Sequence, residues 1–310
     1  MMFDGKFTDT LIADKLDKIS VSYLVGDLQV RRGGVAGNIS YGLGSLGLSP
    51  LLVGSVGQDF AEYRTWLDSH GVDTSGVRTS ATRHTARFTA TNDTEGNQIA
   101  SFYPGAMSED GEIDIVSLAR SSSVDLVVIG AGDPGAMQRY TADCRQAGIP
   151  FAADFSQQVA FLDGDAMRTL IDGAAYLFSN EYEEAVIEQK TGWSSDDILG
   201  RVRTRIVTLG AEGAKVERKD TEPVKVGPVK GARLVEPTGS GDAFRCGFLA
   251  GVAWDLPTER AIELGNLLAV QALEVVGPQE YELKPAALAE RAAESYGEES
   301  AAVIKARLTA

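Results

Sequence analysis

From about residue 120 onward, short apolar runs alternate with stretches whose apolar residues recur every three or four positions. The runs at 125–129 (Asp-Leu-Val-Val-Ile), 151–154, 176–179 and 205–209 each lead into Gly, Asn, Asp or Ser, which predicts buried strands. Between them, 134–147, 165–172 and 181–190 carry helical periodicity, so the order strand, helix, strand predicts an α/β fold with a mainly parallel sheet flanked by helices. Right-handed crossovers put the C-terminal ends of these strands on one side, the edge where ligands collect in such sheets. The first hundred residues read differently. Helices are expected at 38–46 and 59–70, and antiparallel strands at 21–27 and 83–102, with Asn-Asp-Thr-Glu-Gly-Asn at 92–97 as the hairpin turn. These strands flank the 33–56 stretch, so a small sheet built from about 4–32 and 82–106 is expected to project from the body as a lid. The 258–276 and 285–308 stretches read as helices, with Pro257 suited to a first turn.

With 310 residues, 44% of them hydrophobic and no linker-like segment, the chain is expected to form a single domain over 1–310. The formal net charge of −15 argues against nucleic acid and anionic membranes as partners and leaves small molecules. Mg²⁺ and backbone N–H groups would offset that charge locally for a phosphate-bearing ligand. Cys144 and Cys246 are far apart and accompanied by no metal-ligand spacing. No leader pattern opens the sequence and no apolar run reaches membrane length, so a cytoplasmic protein is expected.

Four short motifs carry candidate chemistry. Residues 236–245 read Glu-Pro-Thr-Gly-Ser-Gly-Asp-Ala-Phe-Arg, a Gly-rich turn opening an apolar helix that runs to about Trp254. Consecutive N–H groups at a helix start form an anion site, and Asp242 stands beside it as a candidate base for a hydroxyl. The plain alternative is a helix cap. Residues 31–38 read Arg-Arg-Gly-Gly-Val-Ala-Gly-Asn ahead of a helix, where an Asn38 amide can both donate to and accept from vicinal hydroxyls, or simply sit in a turn. Asn180-Glu181-Tyr182-Glu183 at a strand end reads on its own as an acidic first turn, the reading kept for Glu181 and Glu184. Thr208-Leu209-Gly210-Ala211-Glu212-Gly213 is a strand followed by Gly-x-x-Gly. His70 and His84 sit in no nucleophile constellation, and Trp66, Trp193 and Trp254 read as packing residues.

Taken in order, the four motifs resemble the signatures of the ribokinase-like (PfkB) carbohydrate kinases, and the Pro-Thr-Gly-x-Gly-Asp-Ala-Phe-Arg form is similar to the bacterial adenosine kinase branch. The departure is Glu236 where that family usually has Asp. The resemblance implies ATP and Mg²⁺ as cofactors, Asp242 as catalytic base, and Gly239, Ser240 and Gly241 as an anion hole. It further implies Gly33, Gly34 and Asn38 against a ribose, Glu183 near Mg²⁺ through water, and Asn180, Thr208, Gly210 and Gly213 at the nucleotide. Asn-Gln-Ile-Ala-Ser-Phe-Tyr-Pro-Gly-Ala-Met at 97–107 resembles the adenosine kinase lid, where Phe102 either stacks on a purine or belongs to the lid core. The expected activity is Mg-ATP-dependent phosphorylation of a nucleoside 5'-hydroxyl, adenosine first. The rivals are another nucleoside or sugar, or a nucleoside-binding protein that has lost catalysis. A homodimer through the lid is a further expectation. Members of that family begin with a strand whose Asp holds the ribose hydroxyls; residues 1–7 resemble the segment just after it, and Asp4 lies too far along to replace that Asp. A start short of that strand is expected, with weak adenosine binding and a kcat/KM that rises at least about tenfold once such a strand is restored.

Overall fold

The computed structural model describes residues 1–11, 17–18 and 20–308. In chain order its strands and helices are β1 (Met2–Phe3), α1 (Phe7–Thr10), β2 (Val25–Asp27), α2 (Val35–Ser45), β3 (Gly54–Val56), α3 (Ala61–Ser69), β4 (Val77–Thr79), β5 (Arg87–Asn92) and β6 (Gln98–Tyr103). There follow α4 (Ile115–Ser121), β7 (Val127–Ile129), α5 (Pro134–Ala147), β8 (Phe151–Asp154), α6 (Gly164–Ile171), β9 (Tyr176–Asn180), α7 (Glu181–Thr191), α8 (Ser195–Leu199) and β10 (Thr204–Thr208). The chain closes with β11 (Ala214–Glu217), β12 (Val224–Val226), α9 (Ser240–Ala253), α10 (Thr258–Leu273), α11 (Pro285–Tyr296) and α12 (Glu298–Leu308). A six-stranded sheet runs in the order β12-β11-β10-β9-β8-β7. Its strands β7 to β10 are parallel, and β8 is buried throughout, as its unbroken apolar run requires.

Two antiparallel strands that no apolar run predicts extend this mainly parallel sheet. β11 pairs antiparallel with β10 and β12 with β11. The alternating burial of Ala214–Glu217 marks a half-covered strand near an edge, a pattern too short to separate from a loop. The 285–308 stretch is not one helix. It breaks at Gly297, whose φ of 95° and ψ of 168° suit little but glycine. β3 and β4 form a separate parallel pair of three residues each, which no periodicity reveals.

The small sheet is present, in the order β2-β1-β5-β6, and joins both flanks of the 33–56 stretch. Its 21–27 strand is shortened to Val25–Asp27, and part of the expected 4–32 lid segment, at 12–16 and 19, falls outside the described residues. β5 and β6 form the expected hairpin. Buried Asp93 organises its turn, accepting from the N–H groups of Glu95 at 3.0 Å and Asn97 at 2.8 Å, and from Phe7 N–H at 3.0 Å, which ties the chain start to the hairpin. Burial alone would raise the Asp93 carboxyl; its hydrogen bonds hold it down at about 2. Asp4 lies against Gly26 in this same sheet.

α9 packs on α10 at close range because Gly247 and Gly251 carry no side chain: a Cβ on either would lie 2.5 Å from the Leu264 carbonyl or 2.7 Å from Ala261. On its other face Phe244 and Phe248 pack over the sheet, where Phe248 meets Phe178 edge-on with centroids 5.7 Å apart. This packing sets the N-terminus of α9 above the C-terminal ends of β8 and β9. Among the described residues no helix is long and apolar enough to cross a membrane.

Candidate active site

The site is built around the start of α9. Gly239 caps the helix with φ 82° and ψ −5°, and a Cβ there would lie 2.3 Å from Cβ of Pro278, so only glycine fits both the backbone and the neighbouring loop. The three glycine-turn amides are not equivalent. The Ser240 N–H donates back to the Pro237 carbonyl at 3.2 Å, whereas the N–H of Gly241, in the first turn, donates to no backbone carbonyl of the described residues. Glu236 accepts from the Gly277 N–H at 2.9 Å and so ties the turn to the 277–279 loop. That is what the carboxylate departing from the family pattern does in this chain.

Asp242 follows the turn. Its Oδ2 accepts from Asn38 Nδ2 at 2.7 Å, joining residues 204 positions apart. The other end of the Asn38 amide is fixed too: Oδ1 accepts from Gln279 Nε2 at 2.9 Å. That same Nε2 contacts the Tyr63 hydroxyl, which in turn donates to the Gly33 carbonyl at 3.0 Å. The amide orientation of Asn38 is therefore set by its neighbours, with the N–H side toward Asp242. One N–H and one lone pair of Asn38 remain for a ligand. Burial pushes the Asp242 carboxyl up to about 6; Arg245 and the Asn38 hydrogen bond pull it down, and Asp154 and Glu183 add to the rise. A half-buried carboxylate poised near neutrality is suited to receive a proton.

Behind Asp242 lies a pair the motif reading passed over. Arg245 is 5% exposed, and its Nε and Nη2 lie 2.5 and 2.7 Å from the two oxygens of Asp154, at the C-terminal end of β8. Glu183 Oε2 lies 4.0 Å from Nη2 of the same guanidinium. Asn180 and Glu183 form a reciprocal cap on α7, with N–H to Oε2 at 2.9 Å and N–H to Oδ1 at 2.8 Å. The plain helix-start reading of these two thus holds as structure, yet Glu183 is not solvated: burial raises its carboxyl above the usual range. Glu184 is not a solvated first-turn acid either, since it pairs at 3.1 Å with Arg205, itself 2% exposed.

Thr208 is the register partner of Asn180, which places the 208–213 turn at the same sheet edge. Gly213 turns the chain into β11 with φ 88°, where a Cβ would lie 2.1 Å from the Val226 carbonyl. Gly33 and Gly34 lead into α2, with Gly34 at φ 94°. Phe102 stands apart from this cluster, on β6, 55% exposed and opposite the equally open Phe88. It is not core of the small sheet. Among the described residues no group of three or more His, Cys, Asp or Glu is arranged to hold a metal ion.

The chain is similar to known proteins along most of its length. A family model described as pfkB family carbohydrate kinase matches residues 5–285. The solved nucleoside kinase of Burkholderia thailandensis, in complex with inosine, is 31% identical with a TM-score of 0.83, covering 96% of this chain and 95% of that one. The nucleoside kinase of Methanocaldococcus jannaschii is 25% identical over 271 residues, 86% of this chain and 87% of its own. The ATP-dependent ribose-1-phosphate kinase of Halopiger xanaduensis is 28% identical over 261 residues, 83% of this chain and 85% of its own. The chain therefore belongs to the pfkB family of carbohydrate kinases, with their ribokinase-like α/β fold, and is a phosphotransferase acting on an alcohol group with ATP and Mg²⁺.

Proposed function

We propose that the enzyme transfers the γ-phosphoryl group of ATP to the 5'-hydroxyl of a nucleoside, with adenosine its preferred substrate as in the bacterial adenosine kinase branch. The observation that carries this reading is the pairing of Asp242 with Asn38: a base poised near neutrality is held 2.7 Å from an amide suited to ribose hydroxyls. Asp242 takes the hydroxyl proton, and the free N–H groups of Gly239 and Gly241 complement charge on the moving phosphoryl group. Gly33 and Gly34 leave room for the sugar to approach the backbone. Asn180, Thr208, Gly210 and Gly213 border the nucleotide along the sheet edge. Mg²⁺ would neutralise phosphate charge, and Glu183 would hold its water, which fits a site without a three-acid metal cluster among the described residues. The similarity to two nucleoside kinases supports a nucleoside over a free sugar. The small sheet serves as a lid, and its exposed apolar residues as the contact with a second copy, which light scattering would detect as a dimer.

A coupled ADP assay over nucleosides and sugars tests the reading, which expects adenosine to give the highest kcat/KM. Phe102 is open enough to stack on a base, a contact worth roughly 1–3 kcal/mol. Phe102→Ala is accordingly expected to raise KM for adenosine about tenfold and leave KM for ATP within about twofold. Equal rises in both would remove Phe102 from the nucleoside site.

A further inference from the structure

Arg245 enters none of the roles assigned above, yet it is the most tightly fixed cation near the site. Side chains on a helix point back toward its N-terminus, so Arg245 reaches over Gly241, one turn earlier. Three elements hold the guanidinium. Asp154 of β8 takes Nε and Nη2 at 2.5 and 2.7 Å, the ring of Phe178 from β9 lies 5.7 Å below its central carbon, and Glu183 of α7 is 4.0 Å from Nη2. The remaining nitrogen, Nη1, has no hydrogen-bond partner among the described residues. It is turned to the glycine turn: a Cβ on Gly241 would lie 2.9 Å from it. A guanidinium that is 95% buried and paired with Asp154 through two nitrogens is fixed in place, and it leaves the third to donate to an anionic oxygen at the glycine turn. Gly241 itself donates its N–H to no backbone carbonyl of the described residues.

We infer that Arg245 belongs to the phosphoryl-transfer site, with Nη1 donating to an oxygen of the group in flight and Asp154 acting as the positioning residue that aims it. The inference rests on the function proposed above. In the step, the bond from the 5'-oxygen to phosphorus forms, the bond from that phosphorus to the bridging oxygen of ADP breaks, and the hydroxyl proton passes to Asp242. Arg245 stays protonated throughout. Being prepositioned, its donor needs no reorganisation as charge spreads over the phosphoryl oxygens.

The test compares wild type, Arg245→Lys and the double variant Arg245→Met with Asp154→Leu, in which Asp154 is not left as a buried carboxylate without its cation. Three quantities are read: kcat with Mg-ATP and adenosine, Kd for ADP and for adenosine, and Kd for ADP with aluminium fluoride in the presence of adenosine, the planar fluoride standing in for the phosphoryl group in flight. Both variants are expected to lose about 10²-fold in kcat and a similar factor for the fluoride complex, with ADP and adenosine binding within about threefold of wild type. Three results would overturn the inference. One is folded variants that turn over within threefold of wild type, and another is a loss of ADP and adenosine binding in step with kcat, which would mark a purely structural residue. The third, no ADP from wild type with any nucleoside, would overturn the proposed function as well.

Discussion

Replacing Asp242 with Asn is expected to lower kcat by about 10²–10⁴ while making the folded protein more stable at pH 7. The two effects have one source. The Asp242 carboxyl is pushed from 3.8 up to about 6 by burial, with Asp154 and Glu183 adding and Arg245 and Asn38 opposing. Because the folded chain binds this proton more tightly than the unfolded one, ionised Asp242 costs stability. That cost is complete above about pH 6, shrinks as pH falls through the window, and is gone below 3.8. Asn keeps the shape, still accepts from Asn38, and removes the charge, so the variant should gain about 2 kcal/mol at pH 7 and almost nothing at pH 4. Activity runs the other way: the base works only when ionised, so wild-type kcat/KM should fall with acid below about pH 6. Melting curves of wild type and variant at pH 7 and pH 4, with kcat/KM against pH, check all of this. A variant less stable at pH 7, or one that keeps near wild-type turnover, would show that Asp242 is an ordinary cap residue.

The second large effect is expected from Gly239→Ala. Two penalties coincide there: a φ of 82° costs an L-residue roughly 1–2 kcal/mol, and the new Cβ would meet the Pro278 ring at 2.3 Å. Neither partner yields cheaply, since Pro278 is rigid and the 277–279 loop is held by Glu236 and Gln279. The turn must shift, taking the Gly239 and Gly241 amides and Asp242 with it, and kcat/KM should drop about 10³-fold. Gly297→Ala is the control. Its φ of 95° and ψ of 168° strain an alanine backbone at least as much, but nothing lies within 4 Å, so it should lose roughly 1–3 kcal/mol of stability and leave kcat/KM unchanged. Equal losses of activity in the two variants would mean that strain alone, and not the anion turn, explains the first.

What the sequence made legible was local. The strands 151–154 and 205–209 and the helix 134–147 carry strong apolar patterns and recur in the structure within a residue of their expected ends. The glycine turn at 239–241 was readable because its residue types have few other uses. The interlock behind it was not. Tyr63, Gln279, Asp154 and Arg245 come from four separate elements, and each alone resembles an ordinary loop, strand-end or helix residue. Only packing α9 over β8 brings Arg245 to Asp154, 91 positions away. The available signal was the Arg in Gly-Asp-Ala-Phe-Arg, a cation on the second turn of an otherwise apolar buried helix. β11 and β12 went unread because Ala-Lys-Val-Glu and Val-Lys-Val alternate apolar and charged residues and lack the apolar run that marks β7 and β8.

The most direct test of the account is ADP formation by wild type and Asp242→Asn on Mg-ATP with adenosine, inosine, cytidine, ribose and fructose in parallel. The account predicts nucleoside-dependent ADP, highest kcat/KM with adenosine, and a loss of at least about 10²-fold in kcat for the Asn variant while adenosine still binds. Adenosine binding to wild type without ADP production, or a sugar preferred over every nucleoside, would contradict it.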